Sequence, residues 1–252
     1  MALDFDGTTG YVNRASTPVT GTPLTIFARF NADLVSTGAN AIVSIQAGAD
    51  TTHRFGLEAR GDVVGDPVRA ATGAGGTIAN AASAAGYVQG TNHYGIALFE
   101  SPTSRYVFLD GTKSAQNTTS RTPVGVSAIA LASFNGTNFF DGKIAEAAIW
   151  GDAALDDLEC AALSKGYSPR LIRPNKLVMH IEGRRSGVID LRGAPFTVNG
   201  TVGITPHPNV IMPRRRLVFP KAAAAAAGQP FWKRFGGTPH AGFERQHGRM
   251  GF

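Results

Sequence analysis

The chain has 252 residues, a formal net charge of +6, 43% hydrophobic and 17% charged residues, which allows a globular core and excludes wholesale disorder. Its 31 glycines and 14 prolines favour a turn-rich β protein over a helical one. The single cysteine, Cys160, excludes an intramolecular disulfide. The sequence contains no run of about 18 apolar residues, the length that a membrane-spanning helix needs.

Strand-like segments begin at the N-terminus. Leu3–Val12 alternates apolar and acidic residues, which predicts an opening strand with one buried face. Leu24–Phe30 and Ala41–Ala47 are β-branched or aromatic runs between Gly, Pro and Asn residues, and Arg54–Arg60 alternates apolar with charged residues. Short strands that recur between turns predict an antiparallel sandwich.

The middle of the chain is less regular. Within Asp62–Gly90, Gly, Ala, Thr and Asn dominate Ala70–Gly86, which leaves a loop and a small-residue hairpin as alternatives there. Only Thr77–Ala79 and Tyr87–Gln89 are strand-like. After it, His93–Glu100 and Arg105–Asp110 predict a β-hairpin across a Pro-containing turn.

The best-patterned stretch lies between residues 126 and 150. Val126–Ser133 is predicted to pair with Asn138–Asp141 through the turn Asn135-Gly136, because both turn residues tolerate a positive φ. Ile144–Trp150 is an apolar run broken only by Glu146, and its length predicts a buried strand.

A helical pattern follows at Asp152–Lys165. Asp156 and Glu159 have the spacing of a capping box, and Gly166 and Pro169 are expected to end the helix. Its predicted apolar face consists of Leu155, Leu158, Ala162 and Leu163. Cys160 lies inside this helix and is interpreted as a small buried residue rather than a nucleophile.

The order of hairpin, buried strand and short helix resembles the end of the laminin-G-like / concanavalin-A-like lectin domain. The resemblance is carried by Asp141–Trp150, which reads DGKIAEAAIW, and by Leu3–Val12, Pro23–Phe30 and His93–Gly111 in the expected order. It covers residues 2–168 and implies an all-β, antiparallel two-sheet jelly-roll sandwich with one short helix. The resemblance implies no activity, since this fold carries lectins, hydrolases and structural modules.

Further apolar segments follow the helix. Lys176–Ile181, residues 187–195 and Phe196–Val202 extend the predicted jelly roll to residues 1–208, and the alternative is a separate hairpin within residues 169–205. Residues 209–252 are then a basic C-terminal arm rich in Ala, Gly and aromatic residues.

The arm carries most of the positive charge. Of the 24 basic and 18 acidic residues, eight basic residues and one acidic residue, Glu244, lie in residues 206–252, which leaves 16 and 17 for the rest of the chain. An extended arm that adds to a neighbouring protein is favoured over nucleic-acid binding. The predicted partner-binding residues are Arg214, Arg215, Arg216, Leu217, Phe219, Trp232 and Arg234.

No catalytic residue is predicted. The resemblance implies that hydrolases of this fold carry three acids at i, i+2 and i+4 on one strand, and Asp4 with Asp6 lacks the third. The acids Asp156, Asp157 and Glu159 are explained by the start of the helix. We therefore expect a protein that is not an enzyme.

Two kinds of binding site are candidates. Many domains of the resembling type bind calcium at a loop rim, which points to Asp6, Asp110 and Asp141, although each precedes a glycine and is also explained as a turn residue. No other cofactor is expected. A glycan site at the loops would use Tyr11, Phe134, Asn135 and Asn138. The alternative interpretation of Phe134 is that it covers the core.

The combination of a jelly roll and a basic arm also resembles tailed-bacteriophage virion proteins. This implies a non-enzymatic structural protein (capsid decoration, head-fibre or tail-associated) whose arm anchors it to other virion subunits. The alternative is a carbohydrate-binding lectin module for glycan attachment. No secretory signal is recognised, so we expect assembly in the host cytoplasm and location in the virion, without membrane contact. Homo-oligomerisation is left open.

Overall fold

The computed structural model describes residues 2–33, 38–182, 190 and 195–206. These residues form two antiparallel sheets with one α-helix, so the predicted jelly-roll sandwich is confirmed. The predicted domain boundary at residue 208 and the arm, residues 209–252, lie outside the described residues. Nothing therefore tests the partner-binding residues predicted in the arm.

The described residues form fifteen strands, one α-helix and one 3-10 turn. In chain order they are β1 (Ala2–Asp6), β2 (Tyr11–Arg14), β3 (Leu24–Ala32), β4 (Ala39–Ala47), β5 (Asp50–Arg60), β6 (Pro67–Ala74), β7 (Thr77–Gly86), β8 (His93–Ser101), β9 (Ser104–Leu109), β10 (Thr112–Lys113), β11 (Ala128–Leu131), β12 (Asp141–Gly151), α1 (Asp157–Ser164), the 3-10 turn (Pro169–Leu171), β13 (Leu177–Glu182), β14 (Thr197–Asn199) and β15 (Val202–Thr205). Within the described residues, no helix has the length and apolar character that a membrane crossing requires.

Strand β12 organises the larger sheet. That sheet has the order β10-β9-β8-β3-β12-β1-β15, and β13 pairs with β12 on the same edge as β1, further along the strand. The second sheet has the order β14-β2-β11-β4-β5-β6-β7. The predicted buried strand at Ile144–Trp150 is thus confirmed as the long central strand β12.

Two apolar cores result from this arrangement. The main core, between the sheets, includes Phe5, Phe30, Phe55 and Phe99, all at most 2% exposed. A second core lies on the other face of the larger sheet, under α1. It includes Phe27, Ile96, Leu98, Phe108, Trp150, Leu155, Cys160, Leu163 and Leu177. The larger sheet therefore buries apolar side chains on both of its faces.

The predicted opening strand Leu3–Val12 is wrong in one respect. It is divided into β1 and β2, which belong to different sheets. The chain reverses at Gly7, where φ is +68°, and the Asp6 carboxylate accepts hydrogen bonds from the main-chain N–H groups of Thr8, Thr9 and Gly10. An aspartate that bonds the next few N–H groups in this way stabilises a turn instead of a continuous strand.

The predicted hairpin through Asn135-Gly136 is also wrong. The turn itself exists, since Phe134 N–H donates to Thr137 O over 2.7 Å and Asn135 has a φ of +45°. The strands on either side of it do not pair, because β11 pairs with β2 and β4 whereas β12 pairs with β1, β3 and β13. The turn therefore lies in a loop, residues 132–140, that joins the two sheets.

The small-residue region forms the hairpin β6–β7, one of the two predicted alternatives, with strands much longer than the sequence suggested. Tyr87–Gln89 is not a strand. Ala70 and Ala71 are fully buried, so pairing with β5 decides the structure where side-chain propensity is weak.

The helix is shorter than predicted, and its buried face differs. The predicted capping box is confirmed, with Asp156 as N-cap bonded to the Glu159 N–H and Glu159 bonded back to the Asp156 N–H. Cys160 and Leu163 are buried, whereas Leu158 is 83% exposed. Burial raises the pKa of the Cys160 thiol to about 12, which fits the predicted structural role.

Candidate functional site

Four aspartates meet at one end of the larger sheet. Asp4 and Asp6 lie on the exposed face of β1, Asp141 begins β12 opposite Asp6, and Asp33 follows the end of β3. With Phe5, Thr201 and Gly203 they line an open cavity of about 330 Å³, which we call the carboxylate pocket. Gly203 lies opposite Asp4 on β15, and its lack of a side chain leaves this part of the cavity open.

The Asp6 carboxylate serves the turn between β1 and β2. Its Oδ1 accepts three main-chain hydrogen bonds of 2.7–3.0 Å, and its Oδ2 accepts the Thr9 hydroxyl at 2.6 Å. Desolvation raises the pKa of Asp6, but these hydrogen bonds outweigh it and hold the pKa well below the usual value. Asp6 is therefore ionised, and its oxygens are already occupied within the chain.

The other pocket aspartates surround a lysine. Lys143 Nζ donates to both oxygens of Asp33 and lies 3.9 Å from Asp4. Partial burial raises the pKa of Asp141, and the nearby charges of Asp33, Asp4 and Asp6 raise it further. The pocket therefore contains one ammonium group among four carboxyl groups.

The three aspartates predicted to bind calcium are not all brought together. Asp6 and Asp141 share the carboxylate pocket, whereas Asp110 follows β9, which is three strands away from β12 in the sheet. Asp110 Oδ1 accepts the Tyr94 N–H at 2.8 Å, and Oδ2 lies 2.6 Å from His93 Nδ1.

A calcium ion requires six to eight oxygen ligands. In the carboxylate pocket, the oxygens of Asp6 are used by the turn and the ammonium group of Lys143 already occupies the cationic position beside Asp33. The residues as arranged do not fit a calcium site. At the third position, burial lowers the pKa of His93 but the contact with Asp110 raises it more, so this pair is a local structural ion pair.

A second group of candidate residues lies beside the loop of residues 132–140. The rings of Tyr11 and Phe139 lie 6.0 Å apart with an interplanar angle of 60°, and both are half-buried. Next to them Asn138 is exposed, with a φ of +52°. We call Tyr11, Asn135, Asn138 and Phe139 the aromatic rim.

A row of amides holds the aromatic rim in place. Asn199 Nδ2 donates to Asn13 Oδ1 at 3.1 Å, Asn13 Nδ2 donates to Asn135 Oδ1 at 2.8 Å, and Asn135 Nδ2 donates to Gly48 O at 3.3 Å. These bonds join β14, β2, the loop and the β4–β5 turn. The Asn135 side chain therefore fixes the loop, and Asn138 is the rim amide that remains exposed.

Phe134, predicted as a glycan-binding residue, is placed elsewhere. It is 3% exposed, and the Arg54 guanidinium lies 4.4 Å from its ring centroid. Arg54 and Arg69 both donate to the buried Glu58, whose pKa is raised by burial to about 7 against the attraction of Arg54. Phe134 thus covers a buried charged row on the second sheet and presents no free aromatic face.

The sequence identifies the family of this fold. The family described as the concanavalin A-like lectin/glucanases superfamily matches residues 6–159, more than half of the chain. The chain belongs to this superfamily. A comparison with curated proteins found no match.

Solved structures of this superfamily's fold include several carbohydrate-binding modules. Domain 4 of AbnA, a Geobacillus stearothermophilus arabinanase in complex with arabinotriose, has a TM-score of 0.55 at 16% identity and covers 65% of this chain and 76% of its own. A putative carbohydrate binding protein from Bacteroides ovatus has a TM-score of 0.55 at 17% identity, and the match covers 81% of this chain and 58% of that protein. The Ruminococcus gnavus IT-sialidase CBM40 bound to α2,3 sialyllactose has a TM-score of 0.51 at 14% identity, and the match covers 65% of this chain and 96% of the CBM40 chain. At these identities the likeness shows the fold.

Some of the residues at these two sites were not predicted from the sequence. Asp4, Asp33 and Lys143 join the carboxylate pocket only because β1, β3 and β12 are neighbours. Phe139 replaces Phe134 at the rim, and the pair Phe139-Phe140 was the available signal, since adjacent side chains point to opposite sides of an extended chain. Phe140 is 2% exposed, which leaves Phe139 at the surface.

Proposed function

We propose that this protein is a non-catalytic carbohydrate-binding module that holds a glycan at its aromatic rim. The observation that carries the proposal is the half-buried pair Tyr11 and Phe139 beside the exposed amide of Asn138. A sugar ring has an apolar C–H face and a polar edge, so it requires an aromatic surface next to hydrogen-bonding groups. The rim supplies both.

The rim is also preorganised. Positive φ values at Asn135, Gly136 and Asn138 fix the loop, and the amide row ties it to two neighbouring strands. A rigid site loses little conformational entropy when a ligand binds. That the similar structures include an arabinanase domain with arabinotriose and a sialidase module with sialyllactose supports a glycan as the ligand class.

A non-catalytic role is supported by the state of the acids. Glycoside hydrolysis needs two carboxyl groups, one on each side of the bond to be cleaved. In the described residues Asp6 is committed to its turn, Asp33 and Asp4 surround Lys143, and Glu58 is buried between two arginines. Each of these carboxyl groups is therefore either bonded within a turn or paired with a cationic side chain, so none of them forms a free pair across an open space.

The aromatic rim predicts a specific loss of binding. In a glycan array that includes arabino-oligosaccharides and both sialyllactoses, the full chain should bind at least one glycan. Tyr11→Ala and Phe139→Ala should each lower the affinity for that glycan at least 10-fold, about 1.4 kcal/mol, because each removes half of the stacking surface. Isothermal titration calorimetry measures the change.

A matched control is Tyr106→Ala. Tyr106 is also a half-buried tyrosine on a strand, but it lies on the larger sheet with Lys113 Nζ 4.2 Å from its ring centroid. This variant should keep the glycan affinity of the parent, and circular dichroism should show that all three variants are folded. An array without any bound glycan, or equal losses for Tyr11→Ala and Tyr106→Ala, would contradict the proposal.

A second role is supported by the distribution of charge. Residues 206–252 carry eight basic residues and one acidic residue, whereas the rest of the chain is close to neutral. We propose that residues 209–252 anchor the module to a larger assembly with an acidic surface, as expected for a structural protein of a phage virion. The two roles are compatible, because the rim residues lie within residues 11–139 and the proposed anchor is a different stretch of the sequence.

The anchor role predicts a separation of functions. Deletion of residues 209–252 should abolish incorporation into phage particles, measured by mass spectrometry of purified virions, because the deletion removes the basic groups that attach to other subunits. The truncated protein should keep the circular dichroism spectrum and glycan binding of the full chain. Normal incorporation of the truncated protein, or absence of the full chain from particles, would refute this role.

A further inference from the structure

A buried group of three ionisable side chains lies on the larger sheet, away from the carboxylate pocket and the aromatic rim. It consists of Glu146 on β12 and His180 and Glu182 on β13. The Glu146 and His180 side chains are 2% and 1% exposed, and the Glu182 side chain is 11% exposed. Neither the turn, the pocket nor the rim uses these residues.

The strand register makes this group unusual. Glu146 and Glu182 are direct partners in the antiparallel pair of β12 and β13, and His180 is the partner of Ala148. Like charges directly opposite one another destabilise a strand pair, and a buried position increases that cost. Two glutamates in this place therefore favour a positive charge beside them.

The ligand atoms converge. His180 Nε2 lies 2.9 Å from Glu146 Oε1 and 3.8 Å from Glu182 Oε1, and one ligand atom from each residue lies within 4.8 Å of the others. In a tetrahedral zinc site with bonds of about 2.0–2.2 Å, ligand atoms lie about 3.4 Å apart. The two distances from His180 lie on either side of that value, so small shifts of these side chains would bring His180 to the spacing of metal ligands with each glutamate.

An incompletely satisfied atom supports a ligand at this place. Glu182 Oε1 is buried, and no hydrogen-bond donor reaches it from the described part of the chain. A buried carboxylate oxygen without a donor costs free energy, and a metal ion beside it removes that cost. The atom is directed at the same His180 nitrogen that Glu146 contacts, which is where a shared ion would lie.

We propose that Glu146, His180 and Glu182 bind one divalent transition-metal ion, of the zinc type, that joins β12 to β13. An imidazole nitrogen with carboxylate oxygens suits such ions better than calcium, which prefers oxygen ligands only. The main chain is already ordered for this role, since the His180 N–H donates to Asp190 Oδ1 at 2.9 Å and Asp190 Oδ2 pairs with Arg14 at 3.0 Å.

A cationic side chain, Arg29, also lies beside this group. Arg29 on β3 is the strand partner of Glu146, and its guanidinium lies 5.0 Å from the Tyr94 ring centroid. Arg29 therefore offers an alternative explanation for part of the charge balance. The experiment has to distinguish a bound metal from an ion-pair cluster that binds none.

The full chain is treated with a chelator, dialysed, and titrated with Zn²⁺ while binding and thermal unfolding are measured. We expect one Zn²⁺ per chain at this site. At a free Zn²⁺ concentration 100 times the Kd, the ratio of folded to unfolded protein should rise about 100-fold. X-ray absorption at the zinc edge should show nitrogen and oxygen ligands without sulfur.

The Glu182→Gln variant tests the assignment. It should lose the Zn²⁺-dependent rise in stability and bind Zn²⁺ at least 10-fold more weakly. In the metal-free state it should be as stable as the parent or more stable, because the like-charge pair is gone. Asp141→Asn, in the carboxylate pocket, is the matched control and should keep the Zn²⁺ response. No Zn²⁺ binding by the parent, a full response in Glu182→Gln, or loss of metal-free stability in that variant with no Zn²⁺ effect on the parent would overturn the proposal.

Discussion

Trp150→Ala should destabilise the domain by about 3–5 kcal/mol, since replacement of a buried Trp by Ala leaves a large cavity. Trp150 is fully buried at the end of β12, in the core between the larger sheet and α1. Its indole Nε1–H donates to Ile172 O at 2.8 Å, so the substitution also leaves that carbonyl without its partner. Chemical denaturation followed by circular dichroism measures the loss.

The Trp150→Phe variant separates the two contributions. Phenylalanine keeps most of the buried ring but has no N–H group, so the expected cost is about 1–2 kcal/mol. Such a loss, well below that of Trp150→Ala, would show that the second core depends mainly on packing. A cost below about 1 kcal/mol for Trp150→Ala would contradict the view that this side chain is a main part of the second core.

Gly142→Ala should cost about 3–5 kcal/mol, because both the backbone conformation and the space at this position require glycine. Its φ is +138°, and a Cβ would lie 2.2 Å from Asn31 O and 2.9 Å from the Asp33 nitrogen. Strand β12 approaches β3 at this point, so the added methyl group would push the two strands apart. Asp33 and Asp141, which line the carboxylate pocket, would move with them.

Gly76→Ala is the matched control for backbone strain. Gly76 also has a positive φ, +81°, but no atom outside Gly76 and the two residues next to it lies within 4 Å of the position that an added methyl group would take. This variant should lose only about 1–2 kcal/mol, the cost of the left-handed conformation. Thermal unfolding of both variants gives the comparison. Equal losses would show that the close approach of β12 to β3 has no separate energetic effect.

The sequence predicted the fold class because its signals are local. The β-branched and aromatic run Leu24–Phe30, the apolar run Ile144–Trp150 and the capping box of Asp156 with Glu159 each depend on residues that are close in sequence. The same local information failed where the partner of a strand had to be known. The turn at Asn135-Gly136 formed as predicted, but only the pairing of its flanking strands shows that it connects two sheets.

The candidate sites depend still more on tertiary structure. The aromatic rim was partly predictable, since Tyr11, Asn135 and Asn138 come from turn and strand-edge signals. Phe134, which the sequence suggested, is buried, and Phe139, which it did not, lies at the rim. The carboxylate pocket requires β1, β3 and β12 to be neighbours, which no spacing along the chain indicates.

Composition, periodicity and turn residues by themselves determined an antiparallel sandwich with a long buried strand and a capped helix, and they showed that the positive charge is concentrated near the C-terminus. Only the tertiary structure decided where Glu146 points. A β-bulge between Ile144 and Glu146 shifts the register, so Ile144 faces the core between the sheets while Glu146 faces His180 on the other side. One extra residue in a strand reverses the face of every residue after it, and that residue is visible only when the partner strand is in place.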